Sequence, residues 1–132
     1  MTRPGRLTFI VYAPALVGKD GRTLDVVHGM ERAFPGLRLA WRLSDGGRPI
    51  ALPRRDDWLV EKIEDGGFPI VCNGDEGYPV TVMGWGRPGI LKPGGQPQFE
   101  VHAEMPLDEP VIAAAAAVLE AMAEGARSFW GH

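Results

Sequence analysis

The clearest pattern along the chain is the strict alternation of apolar and polar residues from Gln98 to Met105. Successive side chains of a strand point to opposite faces. Phe99, Val101, Ala103 and Met105 therefore share one face, and Gln98, Glu100, His102 and Glu104 share the other. A sheet with one apolar and one polar face is covered by helices on one side only. The uncovered side is free to meet water, a ligand or a partner.

Other segments fall around this strand. Leu7 to Ala13 is rich in β-branched and aromatic residues and apolar on both faces, which predicts a central strand. A loop follows to Arg22, and Thr23 is placed to cap a helix running to Phe34, where Pro35-Gly36 stops it. Leu37, Leu39, Trp41 and Leu43 alternate with Arg38, Ala40 and Arg42, predicting a half-buried strand that ends at an Asp45-to-Pro49 turn. Asp56 or Asp57 opens a second helix with Trp58, Leu59 and Ile63 on its apolar face, closed by Gly66-Gly67. Phe68 to Cys72 and Tyr78 to Trp85 read as strands joined by the acidic turn Asn73-Gly74-Asp75-Glu76-Gly77. Gly86 to Pro97 reads as a long irregular loop. After Pro106 to Pro110 comes a last helix, with Asp108 and Glu109 at its positive end. Its core face is read as Val111, Ala115, Val118, Leu119, Met122, Ala126, Phe129 and Trp130.

The element order β-α-β-α-β-β-β-α predicts an α+β fold: a mixed five-stranded sheet with helices packed on one face. The first two strands would lie parallel through a right-handed crossover, and the last three would form an antiparallel meander. A chain of 132 residues fits one domain, residues 1–132.

Composition narrows the partners. A net charge of -3 argues against nucleic acid and suits a basic protein partner. The single cysteine, Cys72, excludes an internal disulfide and fits a reducing compartment. The apolar run near the N-terminus is too short for a signal peptide, and no apolar run approaches the ~20 residues that span a bilayer. These features together predict a cytoplasmic protein with no membrane partner.

By alternation, the open face gathers Thr8, Tyr12, Arg38, Arg42, Thr81, Trp85, Glu100, His102 and Glu104. The arginines and glutamates would pair if their strands were neighbours. A plain solvated face would carry the same residue types, but Trp and Tyr beside Arg are favoured at interface hot spots. His102 with Glu100 and Glu104 could serve as a general base. Against that, residues two apart on a strand project side chains several ångströms apart, and no nucleophile motif accompanies them. A metal needs three or four converging ligands, so neither a metal nor a cofactor is expected. Asp75 and Glu76 could meet a cation or a basic patch, or simply satisfy the hairpin. Gly84 to Gly89 fits neither a dinucleotide fingerprint nor a phosphate loop. Cys72 reads as a buried, inert thiol.

Four stretches resemble an uncharacterised family of small bacterial proteins: Leu7 to Ala15, Cys72 to Glu76, Gly95 to Ala103 and Glu124 to His132. In layout and size the chain is also similar to immunity proteins of polymorphic toxin systems, such as the immunity protein 52 family. That resemblance implies a small cytoplasmic α+β protein that binds and blocks a cognate toxin, often a basic nuclease. The expectation is a non-enzymatic binding protein contacting its partner through Asp75, Glu76, Trp85, Glu100, His102 and Glu104. The alternative is a small enzyme or ligand-binding domain with a pocket near His102.

Overall fold

The computed structural model describes residues 5–18, 20–63, 66–87 and 98–127. Along them run β1 (Arg6–Pro14), α1 (Arg22–Ala33), β2 (Trp41–Leu43), β3 (Pro49–Ala51), α2 (Arg55–Glu61), β4 (Phe68–Cys72), β5 (Thr81–Arg87), β6 (Gln98–Pro106) and α3 (Glu109–Ala126). The fold is α+β. The strands form one six-stranded sheet in the order β1-β6-β5-β4-β2-β3, and every neighbouring pair is antiparallel.

Three expectations change here. The sheet has six strands rather than five, because Pro49-Ile50-Ala51 folds back on β2 through a turn closed by Ser44 and Arg48. Three residues opening on a proline carry little strand signal, and proline is tolerated at a sheet edge. The sheet is antiparallel rather than mixed: β1 and β2 point the same way but have three strands between them. Finally, β1 is an edge strand and not a central one. Its second apolar face is real, but Ile10 on it is 42% exposed. The predicted meander of the last three strands is present as β4-β5-β6.

Register explains the core. Phe9, Ala103 and Val82 stand side by side on β1, β6 and β5, with Val71 next on β4. All four are buried, together with Phe99, Val101 and Met105. Burying an aliphatic or aromatic side chain of this size contributes about 1.5–3 kcal/mol. The bulge on β4, where three residue steps from Phe68 to Val71 oppose two from Gly84 to Val82, keeps Phe68 inward against Phe99.

The helices lie across this face in the order α3, α1, α2, with α3 beneath β1. Glycines let α1 and α3 approach closely. A Cβ on Gly29 would stand 3.1 Å from the Ala121 carbonyl oxygen, and one on Gly125 only 2.6 Å from the Val26 nitrogen. Helix α1 begins at Arg22 rather than at a Thr23 cap; its N-cap is Gly21, and Thr23 is buried at the second helical position. Helix α3 is capped as its sequence suggests, with Asp108 Oδ1 accepting the Val111 amide at 3.1 Å. Of its expected core face, Leu119 is 42% exposed, and Phe129 and Trp130 lie outside the described residues.

Two arginines, Arg22 buried and Arg55 largely so, tie the layers together. Arg22 binds Asp20 and donates to the carbonyl oxygens of Ala126 and Ala15, joining the β1–α1 loop to the end of α3. Arg55 forms a two-pronged pair with Glu31, each bond 3.1 Å, and donates to the Leu39 carbonyl oxygen. Burial pushes the Asp20, Glu31 and Asp56 carboxyls up, but the bonds from Arg22 and Arg55 outweigh it. All three are held below their ordinary values. Partial burial and a hydrogen bond with Asp108 push Tyr78 up to about 12.

The signs give a pH profile. A lowered carboxylate stabilises the fold above its unfolded value, and that contribution is lost as pH falls through the folded value. A raised tyrosine contributes fully below its unfolded value near 10 and loses the contribution as pH rises toward 12. Urea unfolding at a series of pH values should show a plateau between about pH 5 and 9, with losses on both sides. Undiminished stability at pH 3 would contradict the carboxylate assignments.

Candidate functional site

The face of the sheet away from the helices is organised as cross-strand rungs. Tyr12, Glu100 and Trp85 form one; Ile10, His102 and Met83 the next; Thr8, Glu104 and Thr81 the third. Alternation along β1, β5 and β6 puts all nine on the same side.

The first two rungs hold a built cluster. His102 Nε2 lies 2.7 Å from Glu100 Oε2. The Trp85 indole stacks on the His102 ring with centroids 4.2 Å apart and planes 26° from parallel. Trp85 stands opposite Glu100 in register, so its large ring reaches the diagonal neighbour, a contact available to aromatics on adjacent strands. Glu100 is only 5% exposed despite lying on the open face. The two-residue spacing therefore does not keep Glu100 and His102 apart: the side chains lean along the strand and meet. The imidazole is held between a carboxylate and an indole, which fixes its orientation. When Nε2 carries the proton it donates to Glu100, and Nδ1 becomes the acceptor.

The remaining expected site residues lie elsewhere on the face. Glu104 pairs with Arg6 at 2.8 Å, both about half exposed. It sits four residues along β6 from Glu100, roughly 13 Å by strand geometry. Asp75 and Glu76 occupy the turn between β4 and β5. Asp75 Oδ1 accepts the amides of Gly77 and Tyr78, and the Asn73 side chain bridges Tyr78 and Val80. Asp75 is thus a turn-forming residue, whereas Glu76 is exposed. A hollow of about 370 Å³ joins this turn to Arg6, Leu43, Cys72 and Thr81. The structure therefore unites Trp85, Glu100 and His102, and places Glu104, Asp75 and Glu76 toward the other end of the face.

The expected pairing of Arg38 and Arg42 with these glutamates does not occur. Two strands separate β2 from β6, Arg38 precedes β2, and Arg42 is in register with the core residue Val71. It therefore projects to the helix side. The glutamates are served by Arg6 and His102 instead. Arg6, Ile10, Met83 and Trp41 are among the members of the face that sequence reasoning left out; Trp41 continues the third rung through Cys72 and Thr81, opposite to its expected side. Cys72 is buried as expected. Among the described residues no group of three His, Cys, Asp or Glu could hold a metal ion, and no helix is long and apolar enough to cross a membrane.

Comparison with known proteins decides the family. A family model described as a domain of unknown function, DUF5953, matches residues 18–132. The chain belongs to the DUF5953 family. No curated protein and no solved structure matches it. The DUF5953 match covers α1 through α3 and so includes the Trp85–Glu100–His102 cluster, the Asn73–Gly77 turn and five of the six strands. The description assigns no role to any of them.

Proposed function

We propose that this DUF5953 chain is a non-enzymatic protein-binding domain that docks a basic partner through its open sheet face. Neutralisation of a cognate toxin domain is the form of that activity we favour. The observation that carries the reading is the Trp85–His102 stack, pinned by Glu100 on a face that none of the described helices covers. Tyr12, Ile10 and Met83 extend it into a mixed aromatic and apolar surface. Rigid aromatic anchors in such settings dominate binding energy. The acidic balance of the chain supplies long-range attraction to a basic partner. The paired states of Glu100 and Glu104 move the contact role away from these carboxylates and toward Trp85, with Glu76 as a rim charge.

The test is binding to basic toxin domains, sought first among the products of neighbouring genes; a neighbourhood without one speaks against neutralisation. Trp85→Ala is expected to weaken binding by about 2 kcal/mol, near 30-fold. Glu76→Gln should act mainly on the association rate, by a few-fold, and more at low salt. Full affinity in Trp85→Ala would remove the face from consideration.

One observation favours a second reading. The 2.7 Å contact to Glu100 orients His102 as a general base would be oriented. In that case a small molecule, not a protein, would compete for the Trp85 ring. Retained protein binding by His102→Gln distinguishes the first reading from the second.

A further inference from the structure

We propose that the β1 edge of the molecule is a self-association surface, where two copies pair strand to strand and helix to helix about a two-fold axis. Two separate observations meet at this edge.

The first is the strand. β1 is paired on one side only, to β6, over nine consecutive residues with no break in register. Among the described residues no backbone hydrogen bond outside the β1–β6 ladder reaches residues 6–14. Natural sheets shield such edges with bulges, prolines, charges or brevity. The opposite edge, β3, has only three residues and opens on a proline. β1 has no bulge, its proline comes last, and its one charge, Arg6, is already paired with Glu104. Ile10, at the middle of the strand, is 42% exposed.

The second is the helix directly beneath. α3 packs against α1 through Ala121 and Gly125, and turns Val111, Val118 and Met122 inward. At about 100° per residue, the flank facing away from α1 carries Ile112, Ala116, Leu119 and Ala123. Ile112 is 56% exposed and Leu119 42%. Their four-three-four spacing is the seam of a paired helix, and the alanines let a second helix approach. No charged residue occurs from Pro110 to Leu119. Glu109, Glu120 and Glu124 lie on the adjoining solvent face.

A second copy fits both features at once. Antiparallel β1–β1 pairing centred near Ile10 places Thr8 opposite Tyr12 of the other copy and keeps the two Arg6 side chains roughly 27 Å apart. The same two-fold brings α3 against α3 in antiparallel sense, setting Ile112 against Leu119 and covering both. The contact is self-complementary, as an isologous interface requires. It is ~30 Å long and two layers deep, with layers about 10 Å apart. That is of the order of the ~800 Å² per partner that stable interfaces bury. The product is a continuous twelve-stranded sheet whose open faces both stay accessible. Ile10 and Tyr12 border both surfaces, so the α3 substitutions below are the set that leaves the proposed docking face untouched.

Sedimentation velocity on the full chain, from micromolar to about 100 µM, tests it. The expected mass is twice the 14.3 kDa of one chain. Ile10→Lys, and separately Ile112→Glu with Leu119→Lys, should raise the dimer dissociation constant at least tenfold. Each alters side chains that are exposed in the single copy, so circular dichroism should be unchanged. A wild-type monomer across this range overturns the proposal. So does an oligomer that neither set of substitutions weakens. If one set unfolds the chain, the other still decides.

Discussion

Replacing Gly125 by alanine is expected to cost about 3 kcal/mol and to lower the thermal midpoint by roughly 10 °C. A Cβ there would stand 2.6 Å from the Val26 nitrogen, 2.7 Å from the Asp25 carbonyl carbon and 2.8 Å from its oxygen. All three are backbone atoms of α1, so no rotamer change can make room. The helices would have to part, and Val26, Val27, Met30, Val118 and Met122, all fully buried beside this contact, would lose packing together. Gly29→Ala is the internal comparison. Its Cβ would sit 3.1 Å from the Ala121 carbonyl oxygen, a gap that shifts of a few tenths of an ångström relieve. It should cost about 1 kcal/mol. Thermal unfolding followed by circular dichroism would rank the two. Equal midpoints for both variants and wild type would mean that α1 and α3 are not in such close contact.

Those glycines illustrate what the sequence conceals. Periodicity reveals the last helix and five of the six strands, because both signals depend on residues near in sequence. It does not reveal which helix a glycine will face. The errors in the sheet have the same origin. Leu7 to Ala13 is apolar on both sides, and two-sided apolarity normally marks a central strand. Here β1 sits at the edge, and the side that should be covered by a neighbour or a layer is left with Ile10 in solvent. An apolar surplus at an edge strand is a signal that something outside the single chain covers it. Leu119 conveys the same message: it belongs to the apolar pattern of α3 without belonging to the core.

The site was half legible. Alternation over Gln98 to Met105 located Glu100, His102 and Glu104 on one face and brought Trp85 to the same side. Their grouping was not accessible, because it depends on β5 and β6 being neighbours in a particular register. Trp85 meets His102 only because Trp85 is opposite Glu100. Conversely, Arg42 alternates correctly within its own segment yet faces the helices, since its side is set by pairing with Val71. Asp75 shows a different limit: a carboxylate in a turn reads as a contact residue until its oxygen is seen accepting two amides of the same turn.

Arg55→Ala should cost about 3 kcal/mol. The Arg55 and Glu31 side chains are 10% and 14% exposed, and removing one member of a buried pair leaves the other charge uncompensated. The loss also frees the Leu39 carbonyl oxygen, which Arg55 holds at 2.7 Å, so the approach to β2 loosens along with α2. Glu31→Gln is a milder change. The amide oxygen can still accept the Leu39 amide now bound at 2.9 Å, and Arg55 keeps a neutral acceptor. The pH dependence separates lost charge pairing from lost packing. In the wild type, Arg55 is among the groups that hold Glu31 below its ordinary value against the opposing effect of burial. Without Arg55 only the Leu39 amide and the Arg38 charge oppose burial, so the folded carboxyl rises and its contribution to acid sensitivity shrinks. Arg55→Ala should therefore be less stable at pH 7 yet lose less on passing from pH 6 to pH 3 than the wild type does. Parallel acid profiles would assign the cost of the substitution to the arginine's packing and its backbone bond, and would leave Glu31 without a part in acid unfolding.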